Sequence, residues 1–334
     1  MTLGDEKLHV HVAALTSQHE VFWVTEDRFR AACERHPALA THLTVDWSWD
    51  LEGFDESIRD ADIMIGWKFD THDMARRAPN LKWIQLTGAG MEHLQPLDWL
   101  PRGVALTNNS GVHATKAAEF AGTSVLMLNN FFPHFTTQQN NRHWDKKFST
   151  TIDDKAVLII GLGGMGGAVA RWIKQRLGLR VLGVRSTARP TRYVDEVFSS
   201  DQLDTVLPQA DFVVVTVPLT EETENLLDRR RLMLMKPGAG IVNMGRARVI
   251  DYDVLAELLT TGRLSGAILD VFDPEPLPVS SDLWETPNLM LVPHCSSDDV
   301  DKYIPLTLDM FFANLDRYVS GKPLKKCIST KKQY

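Results

Sequence analysis

From near its start the chain alternates two hydrophobic patterns. Short apolar runs punctuate the first hundred residues: LHVHVAAL (8–15), LTVDW (43–47), ADIMIGW (61–67), LKWIQLTG (81–88) and GVALTN (103–108). Their length and their β-branched and aromatic content predict strands. EDRFRAACERH (26–36) and HDMARRA (72–78) fall between them and read as helices. Strand–helix alternation predicts a parallel sheet covered on both faces. A segment without turn signals follows, from Ala114 to Phe132, and reads as one buried helix. TTQQNNRHWDKKF (136–148) is polar apart from Trp144 and Phe148, and predicts a projecting helix or arm.

A second alternating series begins at KAVLIIG (155–161). RVLGV, DFVVVTVP, GAGIVNM, SGAILDVF and NLMLVPH follow, with helical stretches at 166–177 and 251–259. Six strands with helical crossovers match a doubly wound dinucleotide-binding sheet. Residues 301–321 read as one amphipathic helix that comes too late for that sheet and is expected to pack back on the first domain. The expected class is therefore α/β, with two doubly wound parallel-sheet domains. A Rossmann domain (111–297) is inserted in a discontinuous, flavodoxin-like substrate domain (1–110 and 298–334).

Composition narrows the function classes. The 334 residues are 44% hydrophobic and 24% charged, ordinary for a globular protein. A net charge of −7 argues against a nucleic-acid binder. Three widely spaced cysteines imply no disulfide framework and suit a reducing compartment. The N-terminal stretch lacks the basic start and apolar run of a secretory signal, and no apolar run reaches the ~18 residues of a membrane span. The expectation is a cytoplasmic protein, without membrane or nucleic-acid partners.

Gly161, Gly163 and Gly166, with Gly164 and Met165 between, form G-x-G-x-x-G after an apolar run and before a helix. That context is a pyrophosphate cradle at a helix N-terminus. An acid about 20 residues further on would hold the ribose of NAD. Here Arg185, Ser186 and Thr187 stand at the end of RVLGV, with Arg189 close by. A guanidinium and two hydroxyls suit a 2′-phosphate, so NADP(H) is expected ahead of NAD(H).

Arg246, Glu275 and His294 follow three successive predicted strands of the second series. Ligands of doubly wound sheets bind outside the carboxyl ends of strands, so the three are expected to converge. An arginine can grip a carboxylate and polarise a carbonyl, a histidine can donate a proton, and a carboxylate beside the imidazole favours its charged form. Each alone has a plainer reading: Arg248 competes with Arg246, and Glu275 lies in a proline-rich loop. No metal-ligand spacing occurs.

With IIGLGGMG, VTVPLTEETENLL, MKPGAGIVNMGRARVIDYDVL, GAILDVFDPEPLP, WETPNLMLVPH, LKWIQLTGAGMEHL and GVHATKAAEF, the chain resembles the D-isomer-specific 2-hydroxyacid dehydrogenases. The resemblance runs from about residue 60 to 320. It implies reduction of a 2-oxo acid to a D-2-hydroxy acid in a site between the domains. Arg246 would bind the substrate carboxylate, Glu275 would be the partner acid and His294 the proton donor. Asp270 and the Met244 backbone would hold the nicotinamide, and Val217 and Pro218 the adenosine side. The Ala89 and Gly90 amides would bind carboxylate, Lys68 and Trp67 would face substrate, and residues 129–148 would form a homodimer interface. Arg185 matches the NADP-using minority, such as glyoxylate/hydroxypyruvate reductases. The chain departs from the family pattern at Ala247, where glycine is usual, and at CSSDD after the histidine. Cys295 is expected to be packed rather than reactive. Two alternatives use the same fold: a nucleotide-sensing interaction protein, against which the intact Arg–Glu–His set argues, and phosphite oxidation. Formate oxidation is disfavoured, because such enzymes pair the histidine with an amide.

Overall fold

A computed structural model describes residues 7–328; the N-terminal residues Met1–Glu6, part of the stretch examined for a signal, lie outside them. The chain divides into two compact units. One holds the residues up to Val112 and those from Asp299 onward; the other is His113–Asp298.

The first unit is built on five parallel strands: β1 (Leu8–Ala14), β2 (Leu43–Trp49), β3 (Ile63–Gly66), β4 (Trp83–Leu86) and β5 (Ala105–Thr107). Their order, β2-β1-β3-β4-β5, is the flavodoxin-like doubly wound order. Alternation sorts the side chains between two covered faces. Val10, Val12, Ile63, Ile65 and Trp83 pack with Phe29, Phe311 and Phe312, whereas Met64, Ile84 and Leu86 pack with Phe54, Ile58 and Met74. Phe311 and Phe312 belong to the helix Tyr303–Val319, and Trp83 stacks on Phe311 at 5.2 Å between centroids. A buried polar cluster interrupts this core. His11 bonds Asp46 Oδ1 through Nδ1 (2.7 Å) and Ser48 Oγ through Nε2 (2.9 Å). The geometry is that of a nucleophile triad, but His11 and Ser48 are sealed from solvent, so the cluster ties β1 to β2.

The second unit has seven parallel strands: β6 (Ala156–Ile160), β7 (Arg180–Arg185), β8 (Glu196–Ser199), β9 (Phe212–Val215), β10 (Gly240–Asn243), β11 (Gly266–Leu269) and β12 (Leu289–Leu291). The order is β12-β11-β10-β9-β6-β7-β8. Counted from β6, that is the 3-2-1-4-5-6 dinucleotide-binding order with one strand added. β8 is the strand beyond the six expected. Its sequence EVFS is half exposed and lacks a continuous apolar run. The helix expected to reach Phe132 ends at Asn129. Phe131 enters the left-handed region (φ +55°) and a new helix, Phe132–Asn140, begins beyond it.

Candidate active site

β6 and β9 are neighbours, although β9 follows β6 by two intervening strands, so the chain reverses winding direction between them. A crevice opens at the carboxyl ends of strands at such a point. Gly161 leaves β6 with φ +98°, and a Cβ there would lie 2.8 Å from Val217 Cγ1. A Cβ on Gly166 would lie 1.8 Å from the Gly161 carbonyl oxygen, so the turn and helix can approach only as glycines. Around Gly163, by contrast, nothing lies within 4 Å. The helix Gly164–Arg176 starts there with no side-chain cap. Its first N–H groups and positive dipole end therefore face open space of the kind that accepts a pyrophosphate. Thr216 Oγ1 donates to the Gly161 carbonyl (2.8 Å) and locks the turn. Thr216 was not among the expected residues, although its place directly after an apolar strand is the available signal. Val217 and Pro218 continue from it. Arg185 ends β7 half-buried, and Ser186, Thr187 and Arg189 follow it in exposed positions. These residues fit a dinucleotide.

The next strand ends carry the candidate catalytic side chains. After β10 the chain turns sharply. The Met244 amide bonds Val215 O (3.0 Å), and Asn243 Oδ1 accepts from the Gly245 amide (3.0 Å). Arg246 sits half-buried at this turn and donates through Nη1 to Gly245 O (2.8 Å). Arg248 is exposed and paired with Glu224, which separates it from its neighbour's role.

After β11, Asp270 is buried. Its Oδ1 accepts from the amides of Cys295 and Ser296 (3.1 Å each), and its Oδ2 from the Ser296 hydroxyl (2.6 Å). Desolvation pushes its carboxyl upward against those hydrogen bonds. The CSSDD departure thus places a serine where it anchors Asp270 and fixes the turn after His294. Cys295 is exposed, not packed as expected, because its amide turns inward to Asp270 and its side chain is left outside. Partial desolvation and the nearby Asp270 and Asp298 push its thiol upward, which favours the protonated form.

Glu275 and His294 meet. Glu275 Oε2 lies 2.8 Å from His294 Nδ1, and Oε1 accepts the Phe272 amide at 2.8 Å. The hydrogen bond from Glu275 is the main cause that raises the His294 pKa, against desolvation. Desolvation pushes Glu275 upward, but the bonds from His294 and Phe272, with the Arg246 charge, bring it below its ordinary value. Arg246 also opposes protonation of His294, so the three groups share one electrostatic environment. His294 holds φ +48°, a left-handed conformation seldom seen outside glycine and typical of strain kept at functional sites.

In the other unit, the Gly88 and Ala89 carbonyls are held by the Asn109 amide (2.9 Å) and Asn108 Nδ2 (2.9 Å). Among the described residues the Ala89 and Gly90 amides donate no hydrogen bond. Trp67 lies against Gly88, with His93 bonded to its carbonyl (2.8 Å), and Lys68 is exposed.

A glycine cradle at a winding reversal, with an arginine and a histidine–carboxylate pair at the following strand ends, defines a dinucleotide-dependent dehydrogenase. The family described as D-isomer specific 2-hydroxyacid dehydrogenase, NAD binding domain, matches residues 123–296. A glyoxylate/hydroxypyruvate reductase B of Pectobacterium atrosepticum is 32% identical, over 97% of this chain and 96% of its own. A glyoxylate reductase of Thermofilum pendens is 30% identical over 79% and 80%. A D-isomer specific 2-hydroxyacid dehydrogenase of Xanthobacter autotrophicus, solved with NADPH and MES, superposes with a TM-score of 0.81 at 27% identity, covering 98% of this chain and 100% of that one. The chain belongs to the D-isomer-specific 2-hydroxyacid dehydrogenase family. It is an oxidoreductase with a nicotinamide dinucleotide cofactor and a small hydroxy or oxo acid substrate.

Proposed function

We propose that the protein reduces a 2-oxo acid, glyoxylate, hydroxypyruvate or a related ketoacid, to the D-2-hydroxy acid, with NADPH preferred to NADH. The observation that carries this reading is the 2.8 Å contact of Glu275 with His294 Nδ1. With Nδ1 engaged, Nε2 is the nitrogen that faces a substrate. The bond to Glu275 raises the ring's pKa and so favours its protonated form, and Nε2 passes the proton to the carbonyl oxygen. Arg246 grips the substrate carboxylate and offsets charge developing on that oxygen. The amides of Ala89 and Gly90 and the Lys68 ammonium are assigned to the substrate on family resemblance, and Asp270 and the Met244 backbone to the nicotinamide. When bound, the nicotinamide supplies the hydride. Arg185, Ser186 and Thr187 support the NADPH preference, because they offer a cation and two hydroxyls where a ribose-binding acid would stand.

Two further assignments accompany this reading. A homodimer is supported by Phe132, Trp144 and Phe148, aromatic side chains left 52%, 87% and 86% exposed on an otherwise polar segment. A cytoplasmic setting is supported by the three unpaired cysteines; among the described residues no helix is long and apolar enough to cross a membrane.

The test is a panel of glyoxylate, hydroxypyruvate, pyruvate, phenylpyruvate and, in the oxidative direction, phosphite, each run with both cofactors. Turnover of a small 2-oxo acid, faster with NADPH, is the expected result. Tight NADPH binding with no turnover of any of them would replace the reductase by a nucleotide sensor.

A further inference from the structure

Between β10 and β11 lies a chain of part-buried hydrogen bonds that the roles above do not use. Asn243, fully buried at the end of β10, spends both amide hydrogens inside the protein. One goes to the Arg246 carbonyl (3.0 Å), the other to the Tyr252 hydroxyl (2.9 Å). Tyr252 in turn donates to the Val271 carbonyl (2.8 Å). Val271 stands between Asp270, which anchors the turn after His294, and Phe272, whose amide holds Glu275. The Tyr252 ring also meets Phe272 edge-on, with centroids 6.5 Å apart. One phenol therefore joins the backbone that carries the arginine to the backbone that carries the carboxylate–imidazole pair. Resting on the reductase reading, we propose that Tyr252 is a positioning residue, which fixes the distance between Arg246 and the Glu275–His294 pair through Asn243 on one side and the Val271 carbonyl on the other.

The hydroxyl suits this task chemically. It accepts from one neighbour and donates to the other, which an alcohol can do and a phenyl ring cannot. Burial, with Glu275 and Asp270 nearby, pushes its pKa upward, so it remains a donor at every working pH. The helix Tyr252–Thr260 that begins with it is capped by Asp251, whose side chain accepts from Val254, so the phenol's own backbone is set before the ring reaches inward.

Tyr252→Phe keeps the ring and removes only the hydroxyl. It leaves the Val271 carbonyl and one Asn243 N–H unpaired, and a misplacement of about 1 Å can cost ~10²-fold in rate. The expected result is a fall of about tenfold or more in kcat/KM for the 2-oxo acid, with a smaller change in NADPH affinity by fluorescence titration, since the glycine cradle and Arg185, which would hold the phosphates, stand on other strands. The basic limb of the kcat/KM–pH profile should also move to lower pH, because Glu275 no longer sits squarely on His294, while Asp270 and Arg246 still face it. A residue that merely stabilised the fold would not move that limb. Asn243→Ala opens the same chain from its other end and serves if the tyrosine variant does not fold. The double variant should lose no more than the worse single one. A Tyr252→Phe enzyme with kcat/KM within twofold of the parent, or with an unmoved limb, overturns the proposal. Absence of 2-oxo acid turnover by the parent protein overturns the reductase reading instead.

Discussion

His294 is held by two neighbours with opposite effects. Glu275 favours its charged form and Arg246 disfavours it, with Glu275 the stronger. On the proposed mechanism the imidazolium is the form active in reduction, so kcat/KM is expected to be full below the folded pKa and to fall as pH rises through it. Glu275→Gln removes the main cause that raises this pKa; Asp270, which also raises it, remains, and so do desolvation and Arg246, which lower it. The descending limb should therefore move to lower pH; a limb that stays in place would remove Glu275 from the protonation of His294. At this scale the sequence pointed to Arg246, Glu275 and His294 because each is a polar residue after an apolar strand. Arg246 and Arg248 could not be told apart by sequence, as they differ in partners: Arg248 bonds Glu224 on the surface. Asn243, Tyr252 and Ser296 were illegible for a related reason. Their importance lies in bonds to backbone groups remote in sequence, which no local pattern encodes.

Elements were legible where burial was complete. AVLII of β6 and FVVV of β9 are buried at every position and read directly as strands. EVFS of β8 has no fully buried position, and only its pairing with β7 makes it a strand. Residues 114–132 read as one helix because the apolar run continues through Phe131 and Phe132, although Pro133, in the first turn of the next helix, is the local signal of the break at Phe131. The strand end that tests the cofactor assignment is that of β7. A hydrogen bond to a charged group contributes about 1.5–3 kcal/mol, so Arg185→Asp should lower the NADPH/NADH ratio of kcat/KM by about tenfold or more. Added repulsion between carboxylate and 2′-phosphate acts in the same direction. A ratio that does not change would mean that the phosphate is held by other groups, with Arg189 the first to examine.

For the molecule as a whole, the exposed aromatic side chains of the otherwise polar segment 132–148, Phe132, Trp144 and Phe148, bear on assembly. Aromatic side chains are enriched in interface cores. Replacing Trp144 and Phe148 together by serine should convert a dimer to a monomer in analytical ultracentrifugation, with little effect on the melting of the separate units because both side chains are outside the core. Sedimentation identical to that of the parent would place the interface elsewhere. The late amphipathic helix has a different bearing. Residues Tyr303–Val319 bring Ile304, Phe311, Phe312 and Leu315 into the interior of a sheet whose strands were all made within the first 107 residues. On the ribosome, then, the early strands emerge without the side chains that must cover them, whereas His113–Asp298 is contiguous and can close on itself as it appears. The strands of the first unit are made before His113–Asp298, but their cover is made after it, and a nascent chain stalled before Tyr303–Val319 would expose an unfinished apolar sheet to chaperones.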